Sequence, residues 1–351
     1  MRRIPFGLAP VIFFPGLLYE ALIRARSGLY SAAWLPQRRL SGPVISIGNI
    51  TMGGAGKTPL VIYVAHTLAK LGFNPAILSR GYRRIDPNRS HVLSPGEQVS
   101  APARILGDEP ALIRRHIPSA CMGISKNRFL AGSMIAQRRQ RIAFILDDGF
   151  QHRQLHRDLD IVIIDSSQPL QTNRVFPRGT LREPLSALRR CHIVMINGAR
   201  DGRGTDSVVA EVRRYHPRAT IFHCKQIVQS LVPFSAWKEA AGFQTVPAQS
   251  AYLVAALGNP ERFERDIRDL GIEIRGTKFF SDHYWLKPDD WATCIGEARD
   301  RDAGAIIITE KDAIKLSHPP DFPLLVSVQS TEVSDTKEFE QILKNCAEER
   351  M

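Results

Sequence analysis

The sequence predicts an α/β fold with a mostly parallel sheet, and three observations predict it. Short apolar runs alternate along the chain with stretches of helical periodicity, the pattern of strand–helix–strand units. One β-branched run, Val44-Ile45-Ser46-Ile47, feeds a glycine-rich turn that opens into an apolar-periodic helix. A second set of strand and helix patterns follows a stretch without clear period, Cys224 to about Gln249. At 351 residues the chain is long enough for two cores.

The elements follow in order. Ile4 to Ile23 is mostly apolar, with Arg2 and Arg3 before it and Arg24 and Arg26 after. Pro5, Pro10, Pro15 and Glu20 interrupt it, which argues against a membrane span of about 20 clean apolar residues. No small-residue cleavage motif follows, so a signal peptide is not expected. Leu17, Leu18, Ala21, Leu22, Ala25 and Leu29 mark one helical face, with Glu20, Arg24 and Arg26 elsewhere. That pattern suits an amphipathic helix over residues 1–30, lying in a membrane interface with its arginines on lipid headgroups. A helix packed on the protein's own core is the alternative.

Strands are expected at Val44–Ile47, Ala76–Ser79, Cys121–Ile124, Ile142–Leu146, Ile161–Ile164 and Ile193–Ile196, where the runs are β-branched and unbroken. Helices are expected between them at Pro59–Leu71, Asn127–Arg138 and Ser207–Tyr215. The second set has strands at Tyr252–Leu257, Ala305–Ile308 and Leu324–Val328, and helices at Pro260–Leu270, Pro288–Ala298 and Lys337–Cys346. The division that results is a helix at 1–30, a first domain at 31–224, a connection at 225–249 and a smaller α/β domain at 250–351.

The glycine-rich turn, Thr51-Met52-Gly53-Gly54-Ala55-Gly56-Lys57-Thr58, has the strand–loop–helix context of a phosphate-binding P-loop. Glycines at 53, 54 and 56 let successive N–H groups turn inward, and the helix N-terminus adds partial positive charge. Lys57 would reach the β- and γ-phosphates, and the Thr58 hydroxyl would ligate Mg2+. The pattern G-x-x-x-x-G-K-[ST] calls for glycine at 51, where this chain has threonine.

The net charge of +12 favours anionic partners such as phosphates or an anionic membrane surface. Zinc fingers, recognition-helix signatures and arginine–aromatic repeats do not occur, so nucleic acid is not an expected partner. Five scattered cysteines without a CxxC read as reduced thiols rather than a disulfide framework or zinc site.

Ile142–Leu146 is followed by Asp147-Asp148, two carboxylates at a strand's end. In a P-loop fold such acids face the phosphates and hold Mg2+ or its waters; turn formation is the plainer alternative, and Asp165 is a competitor. Gly107-Asp108-Glu109-Pro110 precedes a helix expected at Ala111–Arg115 and reads as a cap. Phe280-Ser281-Asp282-His283-Tyr284 is a compact polar–aromatic string, and a lone histidine is more often structural than catalytic. Thr309-Glu310-Lys311-Asp312 reads as a capped helix start. Glu310 stands where a guanine-specific loop needs lysine, so guanine specificity is not supported.

Together these strings resemble the tetraacyldisaccharide 4′-kinases, the lipid A 4′-kinases of Gram-negative bacteria. The matching pieces are SIGNITMGGAGKTP (46–59), SRGY (79–82), GDEP (107–110), LDDGFQHR (146–153), GTLREP (179–184), GNP (258–260), SDHY (281–284) and TEKDAIK (309–315). They occur in the family's order over roughly residues 15–316, and the family's P-loop also lacks the first glycine. Tyr284 and Gly179-Thr180 depart from the commoner family residues. The resemblance implies a P-loop kinase-type three-layer α/β/α sandwich with a second, smaller α/β domain, joined by a short β-stranded linker. It implies ATP and Mg2+ as cofactors and transfer of the γ-phosphoryl to the 4′-hydroxyl of a tetraacylated glucosamine disaccharide 1-phosphate, giving lipid IVA. It implies Asp108 and His283 as the proton-accepting pair, and a monotopic enzyme, expected to be monomeric, at the cytoplasmic face of the inner membrane. Arg80, Arg153 and Arg182 lie in family strings and are candidates for phosphate contacts on the substrate. A P-loop kinase for a soluble acceptor and a non-enzymatic nucleotide switch at the membrane are the competing readings.

Overall fold

The computed structural model describes residues 9–138, 140–170, 173–198, 205–239 and 245–350. Residues 1–8, with Arg2, Arg3 and the start of the expected membrane helix, lie outside the described residues, as do 240–244 of the expected connection. The chain begins with α1 (Ala9–Ser31), β1 (Val44–Asn49), α2 (Lys57–Lys70), β2 (Asn74–Ser79), β3 (His91–Leu93), α3 (Pro102–Leu106) and α4 (Asp108–His116). It continues with β4 (Cys121–Ile124), α5 (Arg128–Ala136), β5 (Ile142–Asp147), β6 (Leu159–Asp165), β7 (Ile193–Asn197), α6 (Thr205–Tyr215), β8 (Thr220–Pro233) and α7 (Phe234–Glu239). The last elements are β9 (Ser250–Ala256), α8 (Pro260–Arg268), β10 (Glu273–Phe280), α9 (Pro288–Asp300), β11 (Ala305–Thr309), α10 (Glu310–Ala313), β12 (Leu324–Val333) and α11 (Thr336–Glu348).

The strands form one 12-stranded sheet in the order β10-β9-β11-β12-β8-β7-β6-β1-β5-β2-β4-β3. β1 runs parallel between β5 and β6, which buries both its faces and explains its unbroken apolar run. On one face Ile45 and Ile47 pack with Leu60, Val61 and Val64 of α2, Ile113 of α4 and Leu343 of α11. On the other, Val44, Phe144 and Leu146 pack with Ala131 and Ile135 of α5. Val162 and Ile164 pack there with Val208 and Val212 of α6. The result is helices on both sides of a sheet, three layers deep.

β8 couples the two halves of that sheet. Its first residues run parallel to β7, and Cys224 to Pro233 run antiparallel to β12. This stretch carried no period in the sequence because two of its inward positions are Gln226 and Ser230, both buried. Helix α11 lies within the expected smaller domain at 250–351. It packs instead against the first core, with Phe339 and Leu343 among the α2 residues. Arg350 carries the same connection further by donating to Asp158 Oδ1 at 3.0 Å.

Helix α1 lies on the first core by one side only. Tyr30 is buried, Ile23 packs against the β6–β7 side, and Arg178 pairs with Glu20. The opposite side is solvent-facing: Leu17, Leu18, Leu22 and Leu29 are 42%, 63%, 60% and 38% exposed. No helix among the described residues is long and apolar enough to cross a membrane.

Candidate active site

The loop after β1 is shaped by its glycines and held from behind. Gly53 and Gly56 have φ of 108° and 92°, the left-handed region that a Cβ penalises. A Cβ on Gly56 would also come within 1.8 Å of Gln226 Nε2, so the position is closed to side chains twice over. Asn49 Nδ2 donates to Thr51 O at 2.7 Å, Asn197 Nδ2 to Ala55 O at 3.0 Å, and Gln226 Nε2 to Gly56 O at 3.1 Å. These three amides engage the loop carbonyls and fix the loop's path. No side chain caps α2 at Gly56, which leaves the first-turn N–H groups for an anion.

The first two residues expected to hold nucleotide have backbone partners in a neighbouring segment. Thr51 bridges to Leu181, and the Met52 N–H donates to Thr180 O at 2.6 Å. They tie the loop to the GTLREP segment, and Met52 lines the cleft together with Gly53, Gly54, Ala55, Gly56, Lys57 and Thr58.

β5 delivers the paired acids to the same place. Asp147 is buried; its Oδ2 accepts from Ser79 Oγ at 2.8 Å and its Oδ1 has no protein partner. Burial, and then the charges of Glu109 and Asp148, push its carboxyl up to about 7. Asp148, at φ 49°, turns the other way. Its Oδ1 lies 3.5 Å from Lys57 Nζ, and both its oxygens accept from Arg182 Nη1 at 2.8 Å. Burial opposes ionisation of Asp148, but Lys57 and Arg182 outweigh it and hold the carboxyl below its ordinary range. Asp165 closes its own turn through Ser167 N and Oγ, at 3.0 and 2.7 Å, and is not part of the cleft.

Among the described residues no three His, Cys, Asp or Glu side chains form a preformed metal cage. Mg2+ beside a nucleotide does not need one, since phosphates and water fill most of its six positions. The orphaned, buried Asp147 Oδ1 and the Thr58 hydroxyl at the start of α2 fit that partial demand.

The other end of the cleft is assembled from distant segments. α4 begins at Asp108, whose Oδ1 accepts from the Glu109 N–H at 3.0 Å. Its Oδ2 lies 2.7 Å from Nδ1 of His283, which is 175 residues away in the loop between β10 and α9. Burial would raise the Asp108 carboxyl; the His283 hydrogen bond and the charges of Lys311, His283 and Lys315 reverse this and hold it down to about 2. His283 Nε2 lies 3.7 Å from Asp282 Oδ2, and the Tyr82 ring meets the imidazole edge-on at 5.8 Å. Arg83 Nη1 donates to Asp282 O at 2.9 Å, tying this loop to the segment after β2. Gly258 faces the P-loop closely: a Cβ there would lie 3.7 Å from Gly54 N. The cleft, about 1920 Å3, extends from the P-loop past Asp108 and His283 to Tyr19, Ile23 and Arg26 of α1.

The three arginines expected on substrate phosphates separate. Arg80 is exposed on the cleft wall. Arg182 is at the P-loop end, paired with Asp148. Arg153 is given to α1 instead: its guanidinium is buried, donates to Ser27 O and Oγ at 2.7 and 3.0 Å and lies over the Tyr30 ring. Arg153 also lines the cleft, and its Nε has no hydrogen-bond partner in the protein.

Several residues of the site went unmarked in the sequence. Asn197 ends β7 and Gln226 sits within β8, and no short motif links either to the loop they hold. Arg128 Nη1 lies 3.3 Å from His152 Nδ1, and burial followed by Arg128, Arg157, Arg26 and Arg80 pushes the imidazole down to about 3. Glu109 meets Lys311 at 2.8 Å; GDEP and TEKDAIK were both visible, but not their contact.

Comparison with known proteins bears on this arrangement. The family model for tetraacyldisaccharide-1-P 4′-kinase matches residues 8–348. A tetraacyldisaccharide 4′-kinase of Desulfotalea psychrophila is 33% identical over 333 residues, 94% of each chain. One from Geobacter metallireducens is 34% identical over 316 residues, covering 90% of each. The crystal structure of LpxK from Aquifex aeolicus in complex with ATP superposes with a TM-score of 0.73 at 26% identity, covering 97% of this chain and 98% of that one. With the match spanning both ends of the cleft, the chain belongs to the tetraacyldisaccharide-1-P 4′-kinase family.

Proposed function

We propose that the protein transfers the γ-phosphoryl group of ATP to the 4′-hydroxyl of a tetraacylated glucosamine disaccharide 1-phosphate, a step of lipid A biosynthesis. The observation that carries this reading is the shared cleft. The P-loop cation Lys57 and the Asp108–His283 pair open onto one cleft that continues to an apolar, partly exposed helix.

Phosphoryl transfer passes through a loose transition state, so positioning and charge neutralisation do most of the work. Lys57 and the N–H groups from Gly53 to the start of α2 cradle the phosphates, and Arg182, now on Asp148, is the cation placed to meet charge at the transferring group. Bound Mg2+ would supply positive charge against the phosphates. Thr58 and Asp147 would hold it, with Asp148 keeping Lys57 and Arg182 in place. Asp108 stays ionised and fixes Nδ1 of His283, leaving Nε2 as the atom that takes the acceptor proton. A lower rim of positive charge, Arg80 and Arg26 among it, suits the acceptor's own phosphate.

The outward face of α1 supports a lipid acceptor. Leu17, Leu18 and Leu22 with Arg24 and Arg26 suit an interfacial helix that lies on a bilayer rather than crossing it. The cytoplasmic face of the inner membrane, as a monomer, is the place this reading gives it.

The test is an ATP-dependent phosphorylation assay with purified protein and the disaccharide 1-phosphate, the product followed by mass. The expected result is gain of one phosphate at the 4′ position, dependent on Mg2+. Phosphorylation of soluble sugars at equal efficiency, or ATP turnover with no lipid product, would overturn the reading.

A further inference from the structure

The TEKDAIK segment supplies a helix that no part of this mechanism has used. α10 starts at Glu310, capped by the Thr309 side chain on the Asp312 N–H. Asp312 pins it to the sheet by accepting from the Ala256 N–H at 3.2 Å. From this fixed base α10 grips both ends of α4. Lys311 Nζ lies 2.8 Å from Glu109 Oε1 in the first turn of α4, and Glu310 Oε1 lies 2.9 Å from His116 Nε2 in its last. Trp237 Nε1 donates to the same Glu310 oxygen at 3.0 Å. Lys315 approaches Asp108 at 4.0 Å and donates to Tyr284 O, next to His283, at 3.2 Å.

We propose that Lys311 is a positioning residue for phosphoryl transfer: by holding Glu109 it keeps Asp108, the adjacent residue on the same helical turn, in line with His283. The inference rests on the kinase reading above. Its physical basis is the crowding of carboxylates at the start of α4. Glu109 stands near Asp108 and Asp147, and the cations that face it are Lys311 and the P-loop Lys57. With Lys311 gone, Glu109 has one remaining cation to turn to, and that cation belongs to the phosphates. The turn carrying Asp108 would move with it. Because Lys311 comes from the far side of the sheet, the 2.7 Å contact of Asp108 with His283 depends on the two halves being together. A 1 Å misplacement of a reacting group from such a loss is enough to slow turnover by about a hundredfold.

The experiment compares wild type, Lys311→Met, Lys311→Arg, Glu109→Gln and the Lys311→Met/Glu109→Gln double variant in the full chain, with melting temperature and ATP binding measured alongside. Lys311→Met is expected to lower kcat by about tenfold to a hundredfold while KM for ATP stays within about twofold. Lys311→Arg should recover most of the rate, and the double variant should be little worse than Glu109→Gln alone. Unaltered kcat in Lys311→Met, an effect confined to KM for ATP, an arginine variant no better than methionine, or losses that multiply in the double variant would each overturn the inference. Should Lys311→Met fail to fold, Lys311→Gln is read by the same thresholds. A wild-type protein that does not phosphorylate the lipid acceptor sinks the kinase reading, and this inference with it. A wild-type protein that does, beside an unimpaired Lys311→Met, sinks the inference alone.

Discussion

The two ends of the cleft are built in opposite ways. The phosphate end is one contiguous loop, Gly53 to Thr58, between a buried strand and the helix it starts. The far end joins Asp108 to His283 across 175 residues, with Lys311 and Lys315 arriving from a third segment. A local loop binds phosphate wherever the fold puts it, because its donors are backbone groups. A side-chain pair from two segments exists only in one arrangement of the sheet, which makes the second end the more sensitive to packing.

The largest expected effect tests the local end. Lys57→Ala should lower kcat by about a thousandfold or more, because it removes charge that neutralises the transferring phosphoryl group. Its side chain is 11% exposed and contacts Asp148 rather than core, so the melting temperature should move little. Near-normal turnover would break the phosphate assignment. A large loss of stability would show that the loop is less self-contained than the comparison holds.

The nonlocal end should respond differently. Asp108→Ala and His283→Ala should each cost roughly a hundredfold to ten-thousandfold in kcat. The double variant should be little worse than the poorer single one, since the residues act as a unit. ATP affinity should change little in all three. Losses that multiply would separate the residues and dissolve the contrast between the two ends.

How much of this was legible follows the same division. The P-loop was readable because glycine, lysine and threonine at fixed spacing after a β-branched strand serve one purpose. The strands of the first core were readable because parallel strands buried on both faces are continuous apolar runs. β8 was not, because Gln226 and Ser230 occupy inward positions of a strand that reaches the P-loop. The anchorage of Arg153 on α1 was not legible for a related reason. Its place in the LDDGFQHR string suggested a phosphate, and its partners, Ser27 and Tyr30, lie on a helix whose docking the sequence left open. The Asp108–His283 pair came from resemblance and from nothing in the spacing.

Helix α1 extends the comparison to the membrane. Ile23 and Tyr19 line the cleft while Leu18 and Leu22 face outward at 63% and 60% exposure. Leu18→Gln with Leu22→Gln should weaken partition onto anionic vesicles by about a hundredfold or more, since burying each leucine is worth roughly 1.5–3 kcal/mol. KM for the lipid acceptor should rise while ATP affinity stays unchanged. Unaltered sedimentation with vesicles would move the membrane contact elsewhere on the surface.

The smallest expected effect reads the nonlocal end without any assay of activity. Burial works to raise the Asp108 carboxyl, but its partners hold it down to about 2, against an ordinary 3.8 in the unfolded chain. A depressed carboxylate stabilises the folded state above its unfolded value and loses that contribution as pH falls toward the folded one. The window is therefore roughly pH 4 to 2. Asp108→Asn keeps the shape and removes the charge, so the stability gap between wild type and variant should be nearly flat from pH 7 to 5. It should then narrow by about 1 kcal/mol by pH 3, as half of the linkage is lost. Urea unfolding at pH 7, 5 and 3 measures this directly. A gap for Asp108→Asn that is constant with pH would mean that the histidine and the two lysines do not hold this carboxylate, and that the far end of the cleft is looser than its 2.7 Å contact indicates.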